Sequence, residues 1–509
     1  MISSPTLSSD TNIVERLISS ICTYQHNHCF NIADQYFTYE QLGQRVEAIR
    51  AQLQSVASPF VGLVANNDLD TYASILALWM QGKAYVPLHP LQPLARCKDI
   101  VLQMQIDTIL DSSQQTRYEE GHIIMTSTLP PIQFQPQHAP IHSKDQMAYV
   151  LFTSGSTGRP KGVCVSMDNL NAFVRAEAAL HIGLSPEDRC LQMFDLTFDL
   201  SVCSYLLPLL SGACAYTVKL GTIKWQEAFR LLEDYQLTVA LMVPSVIHYL
   251  RPYLDELEAP QMRHSLFAGE GLPADDIVAW QQALPQCQLW NVYGPTENTI
   301  YCTAYAIPRH QVAEANGIVG IGKAMEGTHT CIIDEQGQRV PQGEKGELCL
   351  ASLQLTPGYW HDEEKNKAAF FEADGLRWYH TGDICSENEQ GQLLYYGRLD
   401  SQVKIQGYRI ELSEIEHVAT RYYDTKVATV AVALPDRQGN TTLHLAIEDT
   451  DSTADEALKA FLQQLLPAYM IPQSFHHLGK FPQNANNKID RKQIKQIVSG
   501  LLWHTIITR

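Results

Sequence analysis

The sequence predicts an α/β fold. We expect a large N-terminal domain of two stacked mixed or parallel sheets with helices, followed by a small mobile α+β lid. The first reason is length, since 509 residues exceed what one hydrophobic core normally supports. The second is the alternation of short apolar runs with helical stretches, which is typical of parallel sheets flanked by helices. The third is a change to strand-like segments after Asn316.

The N-terminal part alternates helices and strands. Residues 12–54 predict a helix, a short strand around Tyr36 to Thr38, and a second helix that Thr38 caps. VGLVAN predicts a buried strand, TYASILALWMQG a helix that ends at Gly82, and AYVPLHP another strand. LTVALMVP and QLWNVYG repeat the pattern farther along the chain.

The C-terminal part divides into two further regions. Residues from about 317 to 399 contain the strand-like segments TCIIDEQGQRVP, GELCLAS and QLLYYGRL, which predict a β-rich subdomain. Beyond Asp400 the chain alternates again, with VKIQGYRI, a helix, VATVAVALP and another helix. We therefore expect domains at 1–399 and 400–509.

The amino-acid composition and net charge limit the kinds of molecule that this protein is expected to bind. Hydrophobic residues make up 45% and charged residues 18%, a globular balance. The net charge of -18 argues against nucleic acid or an anionic membrane. The longest apolar run is too short to span a bilayer, and MISSPTLSSD lacks a secretory pattern. The twelve cysteines form no CxxC pair, so we expect buried, reduced thiols in a cytoplasmic monomer.

The stretch YVLFTSGSTGRPKGVCVS predicts a cradle for a triphosphate. A strand runs into glycines that let backbone N–H groups approach an anion, while hydroxyls add donors and a lysine adds charge. This is no Walker A loop, because Pro160 stands where the second glycine belongs. The candidate phosphate ligands are Thr153, Ser154, Gly155, Ser156, Thr157, Gly158 and Lys161.

The chain contains six further motifs, and their order along the sequence resembles that of the adenylate-forming superfamily. That superfamily includes acyl-CoA synthetases, firefly luciferase and the adenylation domains of nonribosomal peptide synthetases. The motifs are AYVPLHP before the phosphate loop, then NVYGPTENT, GELCLASLQLTPGYW, YHTGDI, GRLDSQVKIQGYRIELSEIE and NNKIDR. The resemblance covers nearly the whole chain. It implies activation of a carboxylate by ATP and Mg²⁺, followed by transfer to a thiol.

The resemblance also implies roles for single residues. Tyr293 would stack on adenine, Thr296 would approach the α-phosphate, and Glu297 would hold Mg²⁺, a cation that prefers carboxylate oxygen. Asp383 would accept the ribose hydroxyls with help from Arg398. Further ATP contacts are expected from Gly269, Glu270, Asn291 and Gly294.

The C-terminal motifs imply a catalytic lysine and a hinge. Lys488 in NNKIDR would bridge the substrate carboxylate and the α-phosphate, with Thr296 and Lys161 as the other catalytic residues. Asn487 replaces the glycine that the family usually has there, and Asn tolerates a left-handed backbone well. Asp400 matches the family's hinge between the large domain and the lid.

Two aspartates compete for the substrate's α-ammonium group. Amino-acid-activating members carry an aspartate at the start of a helix, and MFDLTFDLSV offers Asp195 and Asp199. The register of FDLSVCSYLLPLLSGA favours Asp199, with Asp195 as the fallback. A buried carboxylate needs a cationic partner, which a substrate ammonium supplies.

The side-chain pocket that the resemblance implies is apolar. It would be lined by Leu200, Cys203, Leu241, Leu266, Ala268, Val292, Ile300 and Tyr301. Such a lining offers no second charge, so we expect a small to medium neutral amino acid. Prolyl-carrier-protein ligases have similar pockets, which makes L-proline the first expectation. D-alanine or L-alanine is the second expectation. D-alanine–carrier-protein ligases usually have a Cys in place of Ala268, and this difference counts against D-alanine.

Other classes fit less well. An acyl-CoA synthetase for a non-amino acid needs no ammonium partner, so Asp199 argues against that class. A non-catalytic binding module is disfavoured by the intact Lys161, Glu297, Asp383 and Lys488. The stretch after Arg491 is too short for a helical carrier domain, so we expect a separate phosphopantetheinyl carrier protein. It would dock on a local patch, with Arg421 and Arg437 as candidates.

Overall fold

The computed structural model describes residues 12–136, 146–154, 159–399, 402–424, 427–436, 438–483 and 489–507. Several predicted site residues lie outside this set: Gly155, Ser156, Thr157, Gly158, Asp400 and Lys488. The chain falls into two compact units. The first comprises Met1–Pro90, Val101–Leu151 and Gly162–Leu399, and the second comprises Leu91–Ile100, Phe152–Lys161 and Asp400–Arg509. The hinge at Asp400 stays a prediction.

The helices begin where side chains cap their first turn or where apolar periodicity starts. Thr38, for example, forms a capping box with Gln41, as the sequence predicts for Thr38. The α-helices are α1 (Ile13–Thr23), α2 (Tyr39–Leu53), α3 (Leu69–Met80), α4 (Leu94–Gln103), α5 (Met167–Ala178), α6 (Asp199–Ser211), α7 (Lys224–Asp234), α8 (Pro244–Leu250), α9 (Ala274–Ala283), α10 (Glu363–Ala369), α11 (Leu412–Tyr422), α12 (Asp455–Leu465) and α13 (Arg491–Ile507). Short 3₁₀ turns cover Thr126–Thr128, Arg251–Glu256, Thr296–Asn298, Ser452–Ala454 and Ala468–Met470.

The strands are mostly short. They are β1 (His28–Ile32), β2 (Gln35–Thr38), β3 (Phe60–Val64), β4 (Ala84–Leu88), β5 (Thr108–Asp111), β6 (His122–Met125), β7 (Met147–Thr153), β8 (Lys161–Ser166), β9 (Arg189–Gln192), β10 (Cys214–Thr217), β11 (Val239–Met242), β12 (His264–Phe267), β13 (Gln288–Tyr293), β14 (Thr303–Ile307), β15 (Glu314–Ala315), β16 (Ile318–Val319), β17 (Lys323–Ala324), β18 (Thr328–Ile333), β19 (Gly346–Ser352), β20 (Gly358–Tyr359), β21 (Phe370–Ala373), β22 (Leu376–Glu387), β23 (Leu393–Arg398), β24 (Gln402–Ile405), β25 (Tyr408–Glu411), β26 (Thr429–Pro435), β27 (Thr441–Ile447) and β28 (Ser474–His477).

Two large sheets form the first unit. The nine-stranded sheet has the order β17-β14-β13-β12-β11-β9-β10-β1-β2, and β9 to β13 pair in parallel. The seven-stranded sheet has the order β20-β8-β7-β4-β3-β5-β6, with β3 to β6 in parallel. Strands β11 and β4 are buried along their whole length, which explains their continuous apolar sequence. This arrangement confirms the predicted fold class.

A single hydrophobic cluster joins strands of both large sheets with α3 and α6. Helix α3 is apolar on nearly all sides, and its residues from Thr71 to Met80 are buried. A helix that is apolar all round has to lie inside a core rather than on a surface. The run that predicts this helix therefore predicts its interior position as well.

A third sheet of five strands completes the first unit. Strands β18, β19, β22 and β21 pair in that order, and β23 pairs with β22. Their pairings are antiparallel throughout. These strands lie within the region that predicts a β-rich subdomain.

The second unit has its own core. It contains the β24–β25 pair and a sheet of β26, β27 and β28. Helices α11 and α12 contribute buried residues to a cluster that includes Ile415, Leu445 and Leu458. Among the described residues, no helix combines the length and apolarity that crossing a bilayer requires.

Candidate active site

The parallel strands of the nine-stranded sheet end side by side. Register pairs Met242 of β11 with Phe267 of β12, and Phe267 with Asn291 of β13. The segments that follow these strands therefore emerge at one edge of the sheet, where ligands bind in open α/β folds. The predicted residues Gly269, Glu270, Gly294 and Thr296 all lie on such segments.

The described part of the phosphate loop lies in the second unit. Thr153 ends β7, and Lys161 begins β8. The Oγ1 of Thr153 is buried and has no hydrogen-bond partner in the described part of the chain, as expected of a group that awaits a ligand. The Ser154 hydroxyl, in contrast, donates to the Arg409 carbonyl at 2.9 Å and accepts from the Glu411 N–H at 3.1 Å. Thr153 is thus the better-placed phosphate ligand of the two.

The predicted ribose residues form one buried group. Arg398 Nη1 donates to Asp383 Oδ1 at 2.9 Å, and the Tyr293 hydroxyl donates to Asp383 Oδ2 at 2.5 Å. Asp383 is only 2% exposed, and β22–β23 register places it directly opposite Arg398. A carboxylate offers about four acceptor positions, so two positions are left for the ribose hydroxyls. Burial and the Asp383 charge raise the pKa of Tyr293 well above its usual value, which keeps it a donor.

Other residues that are predicted to contact ATP form hydrogen bonds with backbone groups or occupy positions that favour glycine. The Asn291 amide donates to the carbonyls of Val319 and Gly320 at 3.3 and 3.0 Å. Glu270 accepts the N–H of Ser245 at 3.0 Å. A Cβ at Gly294 would lie 2.4 Å from the Tyr301 Cα, so only glycine fits there. Gly269 has a φ of +89°, a conformation that favours glycine.

Glu297 is a fully buried carboxylate. It lies in the 3₁₀ turn that Thr296 begins, and the Tyr359 hydroxyl donates to its Oε1 at 2.7 Å. Mg²⁺ prefers hard oxygen ligands and is usually held by one or two carboxylates plus phosphates and water. The carboxylate of Glu297, oriented by Tyr359, fits such an ion.

The turn after Glu297 is strained. Thr299 and Ile300 have φ values of +51° and +74°, and such values are unusual for β-branched residues. Gln354 holds this turn with its amide, which donates to the carbonyls of Asn298, Thr299 and Tyr301 at 2.9 to 3.4 Å. Because Ile300 and Tyr301 are predicted pocket residues, Gln354 positions the pocket wall. Gln354 lies within the GELCLASLQLTPGYW motif, but its sequence context does not reveal this contact.

The two candidate aspartates have different surroundings. Asp195 lies 3.1 Å from Lys224 Nζ and 3.7 Å from His89 Nε2. The Lys224 charge and the contact with His89 hold the pKa of Asp195 below its usual range despite burial. Asp199 is the first residue of α6, where the helix dipole stabilises a carboxylate. Asp195 therefore already has a protein cation beside it. The assignment of the ammonium partner to Asp199 stays a prediction.

Tyrosines surround Asp199. Burial raises the pKa values of Tyr85 and Tyr149, and the negative charge of Asp199 raises them further. The Tyr85 hydroxyl lies 3.3 Å from that of Tyr205. The Tyr149 hydroxyl is buried and makes no hydrogen bond in the described structure, so it is available as a donor. No sequence pattern points to Tyr149 beyond its position in the strand that precedes the phosphate loop.

A small cavity of about 40 Å³ lies beside α6. Four of the predicted pocket residues line it: Cys203, Leu241, Leu266 and Tyr301. The other four are buried in the same hydrophobic cluster but do not line the cavity: Leu200, Ala268, Val292 and Ile300. The structure therefore brings half of the predicted lining to one space.

The expectation of a pocket without a second charge is wrong. Glu177, at the end of α5, lines the cavity together with Cys203 and Tyr301. Burial raises the pKa of Glu177 to about 7, against the opposing effect of the Arg16 cation. Burial raises the pKa of the Cys203 thiol well above its usual value, and the negative charges of Asp199 and Glu177 raise it further. Periodicity could not reveal Glu177, because its approach to α6 depends on helix packing.

Comparison with known proteins gives three related results. The profile of the AMP-binding enzyme family matches residues 22–360. The D-alanine–D-alanyl carrier protein ligase of Lactiplantibacillus plantarum is 30% identical over 505 residues, which cover 95% of this chain and 98% of that protein. Tyrocidine synthase 3 of Brevibacillus parabrevis is 32% identical over 474 residues, which cover 90% of this chain but 7% of the synthase.

A solved structure is similar over the full length. It is the Vibrio cholerae adenylation domain AlmE in complex with glycyl-adenosine-5'-phosphate, with 29% identity and a TM-score of 0.85. The superposition covers 98% of this chain and 99% of that one. The likeness therefore extends over both compact units rather than over the nucleotide motifs alone.

Replacement of the two aspartates should separate their roles. Asp199→Asn should lower kcat/KM for the amino acid on the order of 100-fold, because the α-ammonium loses its anion. Asp195→Asn should leave kcat/KM within a few-fold but lower the melting temperature, because Lys224 loses its partner. Pyrophosphate exchange and thermal melting measure the two effects. The reverse order of activities would identify Asp195 as the ammonium partner.

Gln354→Leu should damage the pocket while nucleotide binding persists. The hydrogen bonds from the Gln354 side-chain amide to three carbonyls disappear. Their loss should lower the free energy of unfolding by about 1–3 kcal/mol. We expect KM for the amino acid to rise more than KM for ATP, since Ile300 and Tyr301 shift. The exposed Gln336 provides the control variant, Gln336→Leu, which should behave like the wild type. Equal effects on both KM values would contradict the role of Gln354 in the pocket.

Glu177→Gln should change how stability depends on pH. A raised pKa in the folded state means that the stabilisation from Glu177 is complete below pH 4.5 and is lost as pH rises through about 7. Glutamine does not ionise. The free energy of unfolding of the variant should therefore rise by about 2 kcal/mol relative to that of the wild type as the pH increases from 5 to 8. Melting temperatures at both pH values, with the exposed Glu364→Gln as control, measure this. A pH-independent difference would mean that Glu177 is not desolvated.

Proposed function

Because the chain belongs to the AMP-binding enzyme family and is a ligase that adenylates an amino acid for a carrier protein, we propose a small amino acid as its substrate, with D-alanine as first candidate. In the first step a carboxylate oxygen attacks the α-phosphorus of ATP. The bond to the β-phosphate breaks, and pyrophosphate leaves. In the second step the carrier's thiol sulfur attacks the acyl carbon, the bond to AMP breaks, and the thiol proton passes to solvent.

The size of the cavity beside α6 carries the proposal for a small side chain. A space of about 40 Å³, closed by Leu241, Leu266 and Tyr301, suits a methyl group or a small ring better than a long chain. The full-length relative from Lactiplantibacillus plantarum is a D-alanine ligase, and the AlmE structure holds a glycyl adenylate. Both names point to small amino acids. L-proline rests on the pocket lining alone and is the second candidate.

Asp199 would orient the substrate through its ammonium group. Its carboxylate begins α6, and Cys203 follows one turn later on the cavity wall. A substrate that pairs its ammonium with Asp199 would direct its side chain along α6 toward Glu177. The Tyr149 hydroxyl would add a donor near the same carboxylate.

Asp383, Arg398 and Tyr293 would hold the nucleoside. The carboxylate of Asp383 is positioned by both neighbours before ATP arrives. Such preorganisation lowers the entropic cost of binding. When bound, Mg²⁺ would offset the negative charge of the phosphate oxygens, and Glu297 is the residue of this chain that would hold it.

Lys488 and Lys161 supply the remaining positive charge in this proposal. Lys488 lies outside the described residues, so its role rests on the NNKIDR motif. The carrier would dock near Arg421, which is exposed in the last turn of α11, while Arg437 lies outside the described residues. Because the chain carries a net charge of -18, an acidic carrier would need such a local basic patch.

A substrate panel tests the proposal. Pyrophosphate exchange with glycine, D-alanine, L-alanine and L-proline, and with acetate and propionate, should give the highest kcat/KM for D-alanine. The carboxylic acids should react at least about 100-fold more slowly, because they lack the ammonium that Asp199 binds. Mass spectrometry of a phosphopantetheinyl carrier protein should then detect the aminoacyl thioester.

Lys488→Ala serves as the inactive control. It should lose most adenylate formation while it still binds ATP, since it removes a charge that acts in the transition state. A preference for acetate or propionate, or efficient transfer to CoA with no carrier loading, would favour an acyl-CoA synthetase. A preference for L-proline would overturn D-alanine but keep the amino-acid class.

A further inference from the structure

A row of metal-binding side chains crosses three strands of the five-stranded sheet. Cys331 of β18 lies opposite Cys349 of β19, and Cys349 lies opposite His380 of β22. Glu347 precedes Cys349 by two residues on β19. Since side chains in a strand alternate between faces, all four project from the same face.

The donor atoms of this row already lie close together. His380 Nδ1 lies 3.0 Å from Glu347 Oε2 and 3.7 Å from Cys349 Sγ. One donor atom from each of these three residues lies within 4.8 Å of the other two. Zinc bonds of 2.0 to 2.3 Å in tetrahedral geometry place ligand atoms roughly 3.3–3.8 Å apart. The three atoms are therefore near coordination distance without large movement.

We propose that Glu347, Cys349 and His380 bind Zn²⁺, with the neighbouring Cys331 as the fourth ligand. Cys331 and Cys349 are direct register partners in the antiparallel β18–β19 pair. A set of two thiolates, one imidazole and one carboxylate is typical of zinc, whereas Mg²⁺ and Ca²⁺ prefer oxygen alone. None of these four side chains takes part in the proposed adenylation chemistry, so the two proposals stand independently.

The surroundings of the row suit a metal site. The Glu347 Oε1 accepts the N–H of Gly382 at 2.9 Å, which orients the carboxylate as outer-shell contacts do in metal sites. The Phe371 ring lies 4.5 Å from the His380 ring and covers it on one side. His380 is 34% exposed and Glu347 is 19% exposed, so an ion reaches the site directly from solvent.

Zinc here would stabilise the strand that carries the ribose residue. Asp383 follows His380 by three residues on β22, and Gly382 is already tied to Glu347. A metal that joins β18, β19 and β22 would hold this segment in register. We expect a structural role, visible as zinc-dependent thermal stability, because ligand binding to the folded state raises its stability.

Zinc binding by the intact, reduced protein tests the inference. The chain is stripped with a chelator under a non-thiol reductant, titrated with Zn²⁺, and gel-filtered before metal analysis. We expect one bound zinc per chain and a rise in melting temperature on zinc addition. Substitution with Co²⁺ should give thiolate-to-metal charge-transfer absorption, which a site without cysteine ligands does not produce.

Variants distinguish the row from adventitious binding. Cys349→Ala and His380→Gln should each weaken zinc binding on the order of 100-fold. His380 is partly exposed, so its variant should fold even where Cys349→Ala does not. The controls Cys22→Ser and His329→Gln change an exposed cysteine and an exposed histidine outside the row, and both should retain full affinity.

Three outcomes would overturn the assignment. They are a wild-type protein that retains no zinc, a His380→Gln variant that binds as tightly as the wild type, and a control variant that loses the metal. Unchanged affinity in Cys331→Ser would overturn only the fourth ligand.

Discussion

The parallel pairing of β9, β11, β12 and β13 is the constraint on which the rest of the site depends. Parallel strands send the segments that follow them to a common edge, and register between β11, β12 and β13 is unbroken. The segments that begin at Ala268 and Gly294 are therefore neighbours although they are distant in sequence. A one-residue slip in any of these pairs would turn the predicted pocket residues to the opposite face.

Buried carboxylates give the site its electrostatic character. Asp195, Asp383 and Glu297 are each held by a side-chain donor, and burial would otherwise favour their neutral forms. Glu177 has no such contact in the described structure, and its pKa is correspondingly raised to about 7. Glu177 therefore differs from the other three carboxylates in its electrostatic environment as well as in its position on the cavity wall.

Strain in the turn at Thr299 and Ile300 requires support from another part of the fold. Gln354 reaches this turn from the segment between β19 and β20, and its amide satisfies three carbonyls at once. The segment that follows β19 thus supports the strained turn through one side chain. The sheet that contains β19 also carries Asp383 and the proposed zinc row.

The sequence alone determined the fold class, the order of the strands and helices, and the nucleotide chemistry. Local patterns sufficed for these, since periodicity sets α3 and β4, while short motifs carry Tyr293, Glu297 and Asp383. It did not determine the charge in the pocket, the support of the strained turn, or the row of Cys331, Cys349 and His380. Gln354 lies 53 to 56 positions from the carbonyls that it contacts, and Cys349 lies 31 positions from His380. Only the tertiary structure decided these features, because side chains on separate elements meet according to how the elements pack rather than according to any local pattern.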